Sequence, residues 1–322
     1  MSEHAKLSPS GSARWLACPG SIWLTEQAPR QQSSAAADEG TDAHEWAAKM
    51  LLGDDGLDNP YSGIEIYVNR VRASAERKGA QLWVEKRVYV TDEIHGTPDA
   101  VVSHKSQLDV FDLKYGYNKV EAKGNTQLII YAAGAIKTYG LNPRKVVLHI
   151  VQPRAGGIRS AVLPRKTFDA LLNTIVAAAK ELLSNPEAPR KAGDHCQYCP
   201  AATICPERKA EAKLAAEIAF RPVTEVDEET MLWAIENRKR ITDWFEQLIE
   251  AAIAKPPTGY AAVQGQGRRV WRTDIEVPMV LKAMTLSEAE KAGHNLEELT
   301  VKKAGPLTLV RKEVDASSFP DL

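Results

Sequence analysis

Residues 81–114, which read QLWVEKRVYVTDEIHGTPDAVVSHKSQLDVFDLK, decide the fold. Apolar and polar residues alternate over Gln81–Val90, and the runs Gly96–Ser103 and Leu108–Lys114 are rich in β-branched and aromatic residues. Ser103–Gln107, between the last two runs, carries a turn signal. The stretch therefore predicts three antiparallel strands joined as a meander.

Helices are predicted on both sides of the meander, because apolar residues there recur at a spacing near 3.6. The predicted elements outside the meander are helices near residues 9–18, 36–52, 62–78, 125–139 and 167–184 and strands over 145–151 and 158–163. This order predicts an α/β fold with a central mixed β-sheet flanked by helices.

The character of the chain changes after Phe220, where the small acidic excess begins. A long amphipathic helix is predicted over residues 227–254, followed by a hairpin over Thr258–Arg272 and a strand-like segment at Leu307–Val310. We therefore predict a first domain over residues 1–220 and a mostly helical C-terminal extension with a hairpin over residues 221–322.

The composition is that of an ordinary globular protein, with 41 basic and 42 acidic residues and a net charge of −1. A near-neutral chain does not attract nucleic acid through its overall field, so any DNA contact must be local. No apolar run approaches the roughly 20 residues that cross a bilayer. We expect a cytoplasmic protein without membrane contact, and the absence of a Walker-type phosphate loop argues against a built-in motor.

The four cysteines form a split set, with Cys18 early in the chain and Cys196, Cys199 and Cys205 close together much later. Disulfides are not expected in a cytoplasmic protein, so metal ligation is the leading interpretation. Paired Cys-x2-Cys knuckles are typical of zinc, whereas this chain has one knuckle, a wider step and a remote partner. We therefore expect a [4Fe–4S] cluster, with Zn²⁺ and unligated buried thiols as alternatives.

Charged residues occur within the apolar meander at Asp99, Asp112 and Lys114. Residues i and i+2 of a strand share a face, so Asp112 and Lys114 project together, and a neighbouring strand can bring Asp99 beside them. Two carboxylates and a backbone carbonyl suit Mg²⁺ or Mn²⁺, and an adjacent lysine can position an attacking water. The alternative is an exposed ion pair, but charges among buried strands are costly unless they are paired.

Helical residues on both sides of the meander are candidates for the same site. Gln127 and Tyr131 are four positions apart on the predicted helix and therefore share one face, which is also the pattern of a routine helix surface. His44 lies on an upstream helix, where it is either a ligand or an ordinary helical histidine.

Four motifs occur in a familiar order: Gly40-x3-His44, Gly96-Thr97-Pro98-Asp99, Asp112-Leu113-Lys114 and Gln127-x3-Tyr131. This order resembles the RecB-like branch of the PD-(D/E)XK nucleases, which have a restriction-endonuclease-like core. The split cysteine set resembles the iron–sulfur members of that branch. The segments HAKLSPSGSARWLACPGS, EGTDAHE, DLKYG and QPR are similar to a phage and prophage family of such nucleases, over about residues 4–210.

The resemblance implies a function and a role for each motif residue. It implies metal binding by His44, Asp99, Asp112 and the backbone carbonyl of Leu113, and catalytic or supporting roles for Lys114, Gln127 and Tyr131. It also implies a [4Fe–4S] cluster on Cys18, Cys196, Cys199 and Cys205. Asp112 departs from the many relatives that carry Glu there, although the superfamily pattern allows either.

The resulting hypothesis is a Mg²⁺- or Mn²⁺-dependent DNA exonuclease that processes phage DNA in the host cytoplasm, acting on ends or single strands. Phage single-strand-binding or recombination proteins are the expected partners. The expected flanking DNA contacts are Arg14, Trp15, Arg268 and Arg269. The alternatives are a catalytically degenerate DNA-binding scaffold that partners a recombinase or polymerase, and a zinc-stabilised binding module.

Overall fold

The structure is a computed structural model, and it describes residues 5–29, 35–54, 59–219, 223–265, 268–271, 285–303, 305 and 307–311. The chain divides into two units, residues 1–240 and 241–322. No helix in these ranges is long and apolar enough to span a membrane.

The first unit is built on a mixed five-stranded sheet, and this agrees with the predicted α/β class. Its strands are β1 Gln81–Val84, β2 Val88–Tyr89, β3 His95–Gly96, β4 Ala100–His104, β5 Gln107–Leu113, β6 Lys145–Gln152 and β7 Gly157–Pro164. The sheet order is β1-β4-β5-β6-β7, and β2 and β3 form a separate pair. Only the β5–β6 pair within this sheet is parallel, which requires a crossover between the two strands.

The helices are α1 Ser12–Ala17, α2 Ser21–Thr25, α3 Ala35–Leu51, α4 Ile64–Ala75, α5 Thr126–Thr138, α6 Arg165–Ser184, α7 Pro206–Ala219 and α8 Glu228–Ala254, with short 3₁₀ turns at Pro9–Gly11, Asp194–Cys196 and Val223–Glu225. Helices α3 and α4 cover one face of the sheet, and α5 and α6 cover the other. The crossover between β5 and β6 is made by α5. Helix α7 was not predicted, because it begins at Pro206, directly after the last cysteine of the segment interpreted as a loop.

Two apolar cores lie on opposite faces of the sheet, because consecutive strand residues point to opposite sides. One core joins Val101 and Val110 to residues of α5 and α6. The other joins Ala100 and Phe111 to residues of α3 and α4. Each fully buried Val, Leu, Ile or Phe side chain contributes roughly 1.5–3 kcal/mol, so packing on both faces stabilises β5 between the two helical layers.

The strands predicted at Gln81–Val90 and Gly96–Ser103 are each interrupted, which corrects the simple meander. Glu85 has a φ of +49°, and its backbone N–H donates to the carbonyl oxygen of Asp99 at 3.1 Å. The hairpin therefore bends at these two residues, with β1 and β4 in the main sheet and β2 and β3 beyond the bend. Asp99 lies just before β4 and not within a strand.

The second unit contains the end of α8, the strands β8 Tyr260–Gln264 and β9 Arg268–Trp271, helix α9 Leu286–Lys291, and the strands β10 Thr300–Lys303 and β11 Leu307–Arg311. The prediction that residues 258–272 form one hairpin is wrong, because β8 pairs with β11 and β9 pairs with β10. Gln266 and Gly267, between β8 and β9, lie outside the described residues.

Candidate functional site

Asp112 and Lys114 meet at the C-terminal end of β5. Asp112 is the sixth residue of the strand, and Lys114 follows its last residue. The Lys114 ammonium donates to Asp112 Oδ1 at 3.2 Å and lies 2.9 Å from Oδ2. Asp112 is 2% exposed, so the predicted pairing is present and is buried, unlike an ordinary surface ion pair.

Asp99 and His44 complete the polar cluster from two other elements. Asp99 Oδ2 accepts a hydrogen bond from the backbone N–H of Leu113 at 2.6 Å, which fixes the carboxylate against the end of β5. Asp99 Oδ1 lies 3.1 Å from His44 Nδ1 on α3. The sequence predicted that a regular strand would bring Asp99 to the site. In the structure the bend at Asp99 brings this second carboxylate there.

Helix α5 contributes Gln127 and Tyr131. Asn125 caps the helix by accepting from the Leu128 N–H at 3.1 Å, and this places Gln127 in the first turn. The Gln127 amide donates to Asp112 Oδ1 at 3.0 Å and accepts from the Lys114 ammonium at 3.3 Å. The same amide nitrogen lies 3.4 Å from the Tyr131 hydroxyl. All the predicted motif side chains thus belong to one connected cluster.

The ionisable groups of the cluster shift one another's pKa values. Burial lowers the pKa of His44, but attraction and hydrogen bonding to Asp99 outweigh it and raise this pKa to about 9. Burial raises the pKa of Asp112 to about 6, although Lys114 opposes the shift. Burial also lowers the pKa of Lys114, but Asp112 reverses this and leaves that pKa above its ordinary value.

Glu85 belongs to the cluster and was missed by the sequence analysis. It is exposed as a residue, yet its carboxylate lines a pocket with His44, Tyr67 and Asp99. Burial in that pocket, followed by repulsion from Asp99, raises the pKa of Glu85 to about 7. The alternating pattern of the predicted strand does not indicate that Glu85 belongs to the site, because the bend at Glu85 is set by a hydrogen bond to the distant Asp99 carbonyl.

The donor set fits a hard divalent cation. Ligand atoms of His44, Glu85 and Asp99 lie within 4.8 Å of one another. Two buried polar atoms at the cluster, Asp112 Oδ2 and the Tyr67 hydroxyl, make no hydrogen bond. The Lys114 ammonium is close to Asp112 Oδ2, but hydrogen-bond angles are met only at Oδ1. A buried carboxylate oxygen without a hydrogen bond is costly, and coordination of Mg²⁺ or Mn²⁺ would satisfy it.

The four cysteines, separated in sequence, line one pocket together with basic residues. All four are buried and unbridged. The backbone N–H of Lys191 donates to Cys18 Sγ at 3.3 Å, and that of Gly193 donates to Cys196 Sγ at 3.4 Å. Such N–H···S bonds stabilise thiolates, so the pocket fits a metal or cluster held by sulfur.

The residues predicted to contact DNA differ in their exposure and in their partners. The prediction for Trp15 is wrong, because its side chain is 1% exposed and its indole N–H donates to the Ser8 carbonyl. Arg14 is partly buried and donates to the Ser21 hydroxyl at 3.1 Å. Arg269 is exposed and pairs with Glu290 in the second unit, and the side chain of Arg268 lies outside the described residues.

The chain belongs to a protein family described as "Protein of unknown function (DUF2800)", whose model matches residues 4–60 and 61–305. A crystal structure of a protein named SSO0001 is similar with a TM-score of 0.34 and 17% identity, over 65% of this chain and 89% of that chain. The crystal structure of a phage related exonuclease from Haemophilus somnus 129PT gives a TM-score of 0.26 and 14% identity, over 51% and 91%.

Proposed function

We propose that the chain is a metal-dependent DNA nuclease that hydrolyses phosphodiester bonds, an iron–sulfur member of the RecB-like branch of the PD-(D/E)XK nucleases. One observation carries the proposal. Two carboxylates, those of Asp99 and Asp112, are held at the end of β5, and Asp112 Oδ2 has the Lys114 ammonium at 2.9 Å but makes no hydrogen bond. Because this ion-paired oxygen makes no hydrogen bond, it can still ligate a cation together with Asp99, which favours a metal-binding role.

The metal ligands in this proposal are Asp99, Asp112, His44 and the backbone carbonyl of Leu113, with Glu85 as an additional carboxylate. A bound Mg²⁺ or Mn²⁺ would stabilise charge on the scissile phosphate and lower the pKa of a bound water. The negative carboxylates would otherwise repel the phosphate, which makes DNA binding at this site dependent on the cation.

The side chains around these ligands have separate tasks. The raised pKa of Lys114 keeps its ammonium charged, so it can donate a hydrogen bond to the attacking water or to a phosphate oxygen. Gln127 holds both Lys114 and Asp112, and thereby fixes the distance between the two. Tyr131 is an uncharged hydroxyl because burial raises its pKa well above the ordinary value. It orients the Gln127 amide.

The cysteine pocket is proposed to hold a [4Fe–4S] cluster, with Zn²⁺ as the alternative. Basic side chains of Arg190, Lys191 and Arg208 line the pocket. Burial raises the pKa of the Cys199 thiol, and Arg14 opposes this shift. Positive charge favours the net negative cluster that four thiolates form. Iron content with broad visible absorbance, lost in Cys199→Ala, is the expected result, whereas a colourless protein that contains zinc would contradict it.

The deciding experiment is digestion of linear double-stranded and single-stranded DNA that carries a label at the 5′ or the 3′ end. Wild-type protein with Mn²⁺ is expected to degrade DNA, and Lys114→Ala is expected to be inactive. Terminal products support an exonuclease. The absence of degradation would favour the second candidate, a degenerate DNA-binding scaffold that partners phage recombination proteins. Equal degradation by wild-type and Lys114→Ala protein would reject the assigned site.

A further inference from the structure

Two exposed tyrosines lie at the loop that follows β5. The side chains of Tyr117 and Tyr198 are 74% and 73% exposed, respectively. Asn118, the neighbour of Tyr117, donates a hydrogen bond from its amide to the Tyr198 hydroxyl. Two large rings from distant parts of the sequence are therefore held against the same short loop with most of their surface in solvent.

This loop is next to the candidate nuclease site. Tyr117 is three residues beyond Lys114, and a chain of three residues spans at most about 11 Å. Bases of one DNA strand are spaced by about 3.4 Å in duplex and lie farther apart when unstacked. The Cα atom of Tyr117 therefore lies within about 11 Å of that of Lys114, a span of a few nucleotides.

The second ring comes from the cysteine loop. Tyr198 lies between Cys196 and Cys199, both of which line the sulfur pocket. The hydrogen bond from Asn118 connects this loop to the loop beyond Lys114. The conformation of the cysteine loop therefore determines where the ring of Tyr198 lies.

Two cationic groups, each paired with a carboxylate, lie near Tyr117 or on its loop. The Arg154 guanidinium lies 3.7 Å from the ring centroid of Tyr115 and 5.3 Å from that of Tyr117. Glu39 holds it with two hydrogen bonds of 2.8 and 2.6 Å. The Lys119 side chain, 67% exposed, follows on the same loop and pairs with Glu121 at 2.7 Å. Exposed aromatic faces together with positive charge are the features that bind single strands without sequence preference.

We propose that Tyr117 and Tyr198 form a stacking site for unpaired DNA bases beside the nuclease site. This inference rests on the proposed function and specifies its substrate as single-stranded DNA or frayed ends. Bases within a duplex already stack on one another, so their faces are not accessible to the tyrosine rings. Unpaired bases stack on either ring without regard to sequence.

The test is binding of a short single strand that carries 2-aminopurine near its 3′ or 5′ end, because stacking quenches the fluorescence of this base. The full-length protein carries Lys114→Ala, which keeps the proposed metal ligands and is expected to leave the DNA intact, and Mn²⁺ is present. Tyr117→Ala and Tyr198→Ala are each expected to weaken binding on the order of 10-fold and to reduce quenching. The matched control Tyr117→Phe keeps the ring and is expected to retain both. Tyr198→Phe keeps its ring but loses the hydroxyl that accepts from Asn118, so it tests the ring together with that hydrogen bond.

Metal content and visible absorbance of the Tyr198 variants are measured in parallel, so that damage to the sulfur pocket is separated from loss of the ring. If that pocket is damaged in Tyr198→Ala, the comparison of Tyr117→Ala with Tyr117→Phe decides. If the alanine variants bind the single strand and quench its fluorescence as strongly as the protein that keeps both tyrosines, the stacking site is overturned. This holds even if the wild-type chain degrades DNA. Ring-dependent quenching in a chain that degrades no DNA would support the stacking site while rejecting the nuclease activity. A chain that binds no single strand would overturn the inference.

Discussion

Lys114 is the residue on which the candidate chemistry depends most directly. Its ammonium contacts both oxygens of Asp112 and the Gln127 amide, so it is held in one position. Lys114→Ala removes a positioned donor from the site, and we expect the rate of DNA cleavage to fall by about 100-fold or more. The measurement is the initial rate of release of end label at saturating Mn²⁺.

The matched control is Lys119→Ala, which removes a lysine of the same loop that pairs with Glu121 at 2.7 Å. Its side chain is exposed, and its loss is expected to affect DNA affinity more than the maximal rate. A Lys114→Ala enzyme with the wild-type rate, or equal loss in the two variants, would exclude a specific role for Lys114.

The pKa values of His44 and Asp112 predict how the metal-free protein responds to pH. The pKa of His44 is raised to about 9, so its stabilising protonated form is complete below about 6.5 and is lost as the pH rises through about 9. The pKa of Asp112 is raised to about 6, so its ionisation costs stability as the pH rises from about 4 to 6. Both shifts make the metal-free protein less stable at alkaline pH.

We expect the Tm of protein without divalent cation to fall between pH 6.5 and 9, and Mn²⁺ to restore it most strongly at the upper end. The cation competes with the proton on His44 and satisfies ionised Asp112, so its affinity rises with pH. His44→Gln is the control and should flatten the decline in this window. A Tm that is independent of pH with and without Mn²⁺ would contradict the electrostatics of the cluster.

At the scale of elements, the contact of α5 with β2 depends on a missing side chain. A Cβ placed on Gly134 would lie 2.7 Å from Val88 Cγ2 and 3.3 Å from the Tyr89 nitrogen. Gly134→Ala is therefore expected to lower the free energy of unfolding by about 1–3 kcal/mol, despite the better helix propensity of alanine. Urea unfolding followed by circular dichroism measures the change.

Gly40 on α3 is the matched control, because a Cβ there would meet no atom within 4 Å. With no clash to oppose helix propensity, Gly40→Ala should raise the free energy of unfolding by about 0.5–1 kcal/mol. Opposite signs for the two substitutions are the expected pattern. A stabilising Gly134→Ala would mean that α5 does not pack this closely on β2.

The elements were predictable where local pattern decides them. The alternation of β5 and the apolar spacing of α5 are properties of single segments, and Asp112, Lys114 and Gln127 follow from them. The bend at Glu85 was not predictable. It depends on a hydrogen bond to the distant Asp99 and on a positive φ, and a positive φ is usually signalled in sequence by a glycine, which is absent at this position. The partners of β8 and β9 were missed for the same reason, since their strands lie much later in the chain.

The exposure of individual side chains was also not predictable from the sequence. Trp15 beside Arg14 has the composition of a nucleic-acid contact, yet Trp15 is buried and bonded to Ser8. A tryptophan next to an arginine is the same in sequence whether it faces the core or solvent. The convergence of the four cysteines followed from the hypothesis that they ligate one metal, and the structure shows that all four line one pocket.

At the scale of the whole molecule, the cysteine pocket joins the start of the first unit to its later part. Cys18 follows α1, whereas the other three cysteines lie between α6 and α7. A cross-link that closes a loop of more than 100 residues removes unfolded-state entropy worth about 5 kcal/mol, if a cluster acts as a disulfide does. For a unit of this size that corresponds to a Tm increase of roughly 10–20 °C.

Cys18→Ser separates this cross-link from ordinary packing, because serine fills nearly the same space but does not replace the thiolate as a ligand. In the metal-loaded state we expect the variant to melt roughly 10–20 °C below wild type. In the metal-free state neither protein has the cross-link, so the two should melt together. If Cys18 acted only by packing, the deficit would be the same in both states. Calorimetry of the two proteins in both states therefore measures the part of the stability of the first unit that comes from the cross-link.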